Sequence, residues 1–166
     1  MKKRALILAL VITLLVGSSL YWVVSAQAQS RAGTSSVSGA GTSIIEGGTG
    51  APSFHPVETT FAFHWSNGQG HFECLALTPG APPGTAGSGN FDTNAMYVTG
   101  PITSVSVEGT TAVFKGKASV TGLGAGSNVP FVATATSGGP GTTLVLRISG
   151  LTFNEIVLEG QITVRG

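Results

Sequence analysis

From residue 61 onward the chain alternates apolar and polar positions with a period of two, most densely between residues 102 and 149. Thr103, Val105 and Val107 alternate with polar neighbours, Glu108-Gly109-Thr110 offers a tight turn, and Ala112, Phe114, Gly116, Ala118 and Val120 alternate on the return. A two-residue turn at Glu108-Gly109 or at Gly109-Thr110 pairs odd positions of the first strand with even positions of the second. Either turn therefore brings both apolar sets to one face. Val129, Phe131, Ala133 and Ala135 resume the pattern after the glycine-rich 122–126 turn, and Leu144, Leu146 and Ile148 resume it after Ser137-Gly138-Gly139-Pro140-Gly141. Short alternating runs separated by turn residues predict an antiparallel meander.

The flanking segments extend it. Phe61, Phe63 and Trp65 alternate, Asn67-Gly68 is a strong hairpin signal, and Phe72, Cys74 and Ala76 alternate on the way back. With Asn67-Gly68 as the loop, Phe63 faces Phe72 and Phe61 faces Cys74, which makes one aromatic face. Residues 79–90 read as a long loop. A short strand follows around Met96, Tyr97 and Val98, which Pro101 should end at an edge or a bend. The last strand or strand pair places Ile156, Leu158, Gly160, Ile162 and Val164 on one face, with Glu155, Glu159, Gln161, Thr163 and Arg165 among the others, and Gly160 marks a bulge or bend. The predicted fold is all-β: about eight antiparallel strands in roughly 110 residues, closing as a barrel or stacking as a sandwich. Small residues at inward positions, among them Gly116, Ala118, Ala133, Ala135 and Gly160, suit opposite walls that come close and favour the barrel.

The amino-terminal part follows other rules. Lys2, Lys3 and Arg4 precede an apolar run from Ala5 to Val16, and Ala26-Gln27-Ala28 offers small residues for cleavage, so residues 1–28 read as a signal helix. Leu20, Tyr21, Trp22, Val23 and Val24 lengthen that run enough for the alternative of an uncleaved membrane anchor. Residues 29–52 are Gly, Ser and Thr punctuated by Ile44 and Ile45. They read as a flexible linker, because so little apolar burial cannot offset about 1–2 kcal/mol of backbone entropy per residue. The β-domain is then residues 53–166, exported to the cell surface or secreted, and membrane contact is expected only through residues 5–24 of a retained leader.

Composition narrows the function more than it defines it. Beyond residue 28, five Lys and Arg face seven Asp and Glu, a balance of −2, and no basic stripe remains to follow a phosphate backbone. Nucleic acid is an unsuitable partner. Cys74 is the single cysteine, so no intramolecular disulfide can form, and it reads as a small buried apolar side chain.

The runs ITSVSVEGTTAVFKGKASVTG, VPFVATATSGGPGTTLVLRISG and LEGQITVRG, with FHWSNGQGHFECLAL as a first hairpin, resemble the carboxyl-terminal, post-COAP-type β-domain of bacterial secreted proteins over residues 61–165. The resemblance implies an extracellular all-β module of unassigned molecular function. Such domains commonly carry an acidic residue at the start of the Gly-Pro-Gly turn, where this chain has Ser137, and the departure weakens any reading of an ion at that turn.

One constellation could carry chemistry. In the predicted hairpin His64 sits opposite His71, and Glu73 follows two residues on, so all three project from the face opposite Phe63 and Phe72. With His55 from the preceding loop they form a candidate ligand set for Zn²⁺ or Cu²⁺. The plainer reading is a polar outer face with histidines paired across strands. Catalytic signals are poor: no serine stands in a G-x-S-x-G elbow, and nothing brings Glu73 and Asp92 together. Lys115 and Lys117 read as solvated outward positions, and Trp65 as a core residue rather than a sugar platform. The leading expectation is a non-enzymatic structural or interaction module that meets a cell-surface protein, a wall polymer or its own copies. A small-ligand or metal binder comes second, and a small secreted hydrolase last.

Overall fold

The computed structural model describes residues 35–47, 57–82 and 84–166, and these belong to one compact unit, Thr34–Gly166. The expected leader, the ends of the expected linker and His55 lie outside the described residues. Eight strands follow one another: β1 (Ser36–Gly47), β2 (Glu58–Ser66), β3 (Gln69–Pro79), β4 (Phe91–Glu108), β5 (Thr111–Gly122), β6 (Gly126–Thr136), β7 (Thr143–Ile148) and β8 (Leu151–Arg165). Each pairs antiparallel with the next, and β1 pairs with β8, so the meander closes into a barrel. Closure removes the exposed edges that an open sheet would have to protect.

The β2–β3 hairpin forms as its sequence dictates. Asn67 and Gly68 both adopt positive φ, 53° and 77°, as a two-residue turn matched to strand twist requires, and Phe63 pairs with Phe72 while Phe61 pairs with Cys74. At the next predicted turn the loop is Gly109-Thr110, with Glu108 paired to Thr111 and Val105 paired to Phe114. Thr103 does not join the inward set. A bulge between Ile102 and Ser104 leaves Thr103 exposed and turns Ile102 into the core.

Three expectations are corrected. Residues 36–47 of the predicted linker are strand β1, bonded on both sides by β2 and β8. Ladders on both sides offset the backbone entropy that its few apolar side chains could not. Its glycines are fitted to close contacts: a Cβ on Gly39 would stand 2.5 Å from Phe63 Cζ, and one on Gly41 would stand 2.0 Å from the Glu159 carbonyl oxygen. Second, residues 91–100 and 102–107 are one strand, β4, with Pro101 inside it and paired with His71. Proline cannot donate to a ladder, and here it lies just before the Ile102/Ser104 bulge, where the β4–β5 ladder is already irregular. The total of eight strands thus holds although its members differ, since β1 replaces a strand lost by fusion.

The third correction concerns β8. Gly41 pairs with Gly160 and Thr42 with Glu159, but Ser43 pairs with Val157, so Leu158 is an extra residue. Before this bulge the inward residues are Phe153, Glu155 and Val157; after it Ile162 is inward, Ile156 is half-buried and Leu158 is exposed. Gly160, with φ of 111°, takes up the bend as expected, but the phase on its amino-terminal side is reversed.

The interior is packed around five phenylalanines. Phe61, Phe63, Phe72, Phe114 and Phe131 are all buried, with neighbouring ring centroids from 4.9 Å (Phe63–Phe114) to 6.4 Å (Phe63–Phe72). Each such burial contributes roughly 1.5–3 kcal/mol. Inward small residues Gly39 and Gly116 lie against the rings of Phe63 and Phe131, the large-against-small fit that a narrow barrel needs.

Candidate functional site

The outer face of the first hairpin carries the residues singled out above. His64 pairs directly with His71, and His64, His71 and Glu73 are all exposed on the side opposite Phe63 and Phe72. The metal-ligand set is nevertheless not brought together. His71 Nε2 lies 2.8 Å from Thr99 Oγ1, and the Tyr97 hydroxyl donates to Glu73 Oε1 at 2.6 Å, so both side chains engage β4. Among the described residues no three His, Cys, Asp or Glu side chains are grouped to hold a metal. The physical reason is competition: each side chain is already held by a β4 hydroxyl, His71 by Thr99 and Glu73 by Tyr97, and so is turned away from a shared point. That bond to Glu73 also raises the Tyr97 hydroxyl's pKa.

Around these residues the wall forms an open concavity of about 670 Å³. Ala40 and Ala62 make its floor, paired across β1 and β2, while His64, His71, Glu73, Gln161 and Thr163 surround them. The other sequence candidates stay apart. Lys115 and Lys117 are exposed on β5, Asp92 is exposed at the start of β4, and Trp65 packs partly buried against the core.

A second polar group lies inside the barrel, at a place that simple alternation along β8 does not predict. The reversed phase before Leu158 turns Glu155 inward, where it is 2% exposed, and brings it to Ser43 of β1 and Thr59 of β2, both buried. Ser43 Oγ and Thr59 Oγ1 each lie 2.6 Å from Glu155 Oε2, and the two hydroxyls also contact each other. Both hydroxyls donate to the same carboxyl oxygen, and the group is closed on itself. Desolvation by burial raises its pKa, and the Ser43 and Thr59 hydrogen bonds pull it back in part. The described Lys and Arg residues, Lys115, Lys117, Arg147 and Arg165, are all exposed and supply no inward countercharge.

Cys74 stands beside this group, buried as its sequence context predicted. Burial raises its thiol pKa well above the ordinary value, and the negative charge that Glu155 would carry raises it further, which makes it a poor nucleophile. A void of about 10 Å³ lies between Thr59, Cys74, Glu155 and their apolar neighbours, room for one water molecule. A larger hollow of about 140 Å³ adjoins it, sharing Ile45, Ala76, Met96 and Phe153, with Val57 and Leu123 also on its wall.

A clue to Glu155 was present in the sequence. Phe153 and Val157 share one phase of β8, Ile162 and Val164 share the other, and only an inserted residue reconciles them. No family model, curated protein or solved structure matches this chain.

Proposed function

We propose that the chain is an exported, extracytoplasmic structural or interaction module that acts through its outer surface. The observation that carries this reading is the filled interior: with Phe61, Phe63, Phe72, Phe114 and Phe131 in mutual contact, half of the barrel has no room for a guest. Contacts fall to the exterior, where His64, His71, Glu73, Lys115, Lys117 and Arg147 are exposed. A membrane-spanning barrel presents an apolar band there instead. The role is non-catalytic, since the hydroxyl–carboxyl group is closed on itself and His64 and His71 lie on the opposite side of the wall. The resemblance to post-COAP-type domains, which implies an extracellular all-β module, and the charged leader-like residues 1–28 both support export.

The concavity over Ala40 and Ala62 is the contact surface that fits best, because small side chains leave a recess in which a surface protein, a wall polymer or a second copy can seat. A photo-reactive residue at position 62 tests it in intact producing cells, with position 117 as the control. Cross-linked product from 62 and little from 117, abolished by Ala40→Arg, is the expected result. Equal products from both positions, or retention of the protein inside the cytoplasm, would overturn the proposal.

A further inference from the structure

The end of the barrel away from the phenylalanine cluster has a different composition, and it carries an inference beyond surface contact. The hollow of about 140 Å³ is walled by Ile45, Val57, Ala76, Met96, Leu123 and Phe153, and its volume approaches that of the engineered cavity of about 150 Å³ that takes up benzene. Four of these residues separate it from the small void beside Glu155. Met96 is one of the four, and its unbranched thioether chain can change rotamer at little cost. A body in the hollow would therefore reach the void with its head, and the void is the size of one hydroxyl or ammonium group. Acceptors wait there: the Glu155 carboxyl, the Thr59 hydroxyl and, more weakly, the Cys74 sulfur.

We propose that this end of the barrel binds a small molecule with a benzene-sized apolar body and one hydrogen-bond-donating head, its body in the hollow and its head on Glu155. The need for a donor follows from the residues. Ser43 and Thr59 already satisfy one Glu155 oxygen, but the carboxyl keeps further lone pairs and no inward cation among the described residues uses them, so a donor head gains a bond there that a purely apolar guest does not. A hydroxyl head bonds to the neutral acid. An ammonium head instead leaves the carboxyl ionised and supplies the countercharge that the wall lacks.

The full chain contains two methionines, Met1 and Met96, so selective methyl labelling gives a resonance at the partition itself. Benzyl alcohol, benzylamine and toluene share a body and differ in the head. Titration should move the Met96 methyl signal with benzyl alcohol, benzylamine or both, at concentrations roughly tenfold lower than toluene requires, the factor expected of one added buried hydrogen bond. A stronger response to the amine identifies a charged head, and a stronger response to the alcohol a neutral one. Glu155→Leu should erase the preference over toluene. Should that variant not fold, Glu155→Gln keeps an acceptor and should retain the alcohol while losing any advantage of the amine. A Met96 signal unmoved by all three compounds, or one that answers toluene as readily as the others, would overturn the proposal.

Discussion

The two ends of the barrel interior obey the same alternation and yet differ in kind. One is solid, with five aromatic rings at centroid distances from 4.9 Å upward. The other holds an acid, two hydroxyls and a thiol next to a hollow. A single inserted residue supplies the acid. Without Leu158, β8 would keep one phase throughout, Ile156 would point inward and Glu155 outward, and Ser43 and Thr59, inward by the phase of β1 and β2, would be left without it. A bulge can thus place chemistry inside a barrel without changing its strand order, because it reverses the meaning of inward for every residue before it.

The largest expected effect belongs to the solid end. Phe114 touches Phe63 at 4.9 Å and Phe72 at 5.8 Å between centroids, and Phe114→Ala should destabilise the barrel by about 3–5 kcal/mol in urea unfolding. A loss under 1 kcal/mol, within the range of ordinary surface changes, would mean that the rings are not closely packed and would dissolve the contrast. At the other end, Ser43→Ala removes one of two hydroxyls from Glu155 and should cost about 1–3 kcal/mol, the usual penalty for stranding a buried polar group. A neutral result there would indicate that water takes the place of the hydroxyl, and that this end is wetter than its burial suggests.

How far the sequence reveals each end follows from how each is built. Four of the five rings of the solid end come from the β2–β3 and β4–β5 hairpins, whose turns lie in the sequence as Asn67-Gly68 and Gly109-Thr110 and whose partners are neighbours along the chain, and Phe131 joins them from the next strand, β6. Phe63 against Phe72 is legible by counting outward from the first turn, and Val105 against Phe114 by counting outward from the second. The polar end depends on the β1–β8 seam, whose partners, such as Ser43 and Val157, are distant in sequence and joined by no turn. Strand β1 reads as linker because its glycines make room for neighbours that no local pattern announces. Glu155 reads as outward because a charged residue in a strand is normally solvated. The outer histidine pair is legible for the same reason as the hairpin. What the register alone does not specify is that His71 and Glu73 turn to Thr99 and Tyr97 instead of to each other.

The buried acid should also make stability depend on pH in a definite direction. Burial holds the Glu155 pKa above its ordinary value near 4.5, so between the two values the folded barrel keeps a proton that the unfolded chain releases. The contribution of this group is therefore complete below about pH 4.5 and is lost as pH rises through the folded value. Glu155→Gln should remove that loss. Unfolding midpoints of the two proteins, compared from about pH 4 to about pH 8, should diverge in favour of the variant as pH increases. Taking the difference cancels the other carboxylates, which both proteins share. Parallel curves would place the acid in contact with solvent.

The smallest effect is expected on the outer wall, and it decides whether burial is what separates the sites. His71 makes its hydrogen bond to Thr99 in an exposed position, at 2.8 Å, close to the 2.6 Å of the Ser43–Glu155 contact. Distance alone would rank the two as near equals. In water, however, breaking the His71 bond exchanges it for hydration at little cost, whereas inside the barrel the carboxyl is left with Thr59 and no bulk water to replace the lost bond. His71→Ala should accordingly change stability by no more than about 0.5 kcal/mol. If it costs as much as Ser43→Ala, the interior confers no special weight on its polar group, and the pH dependence argued for Glu155 would need another source.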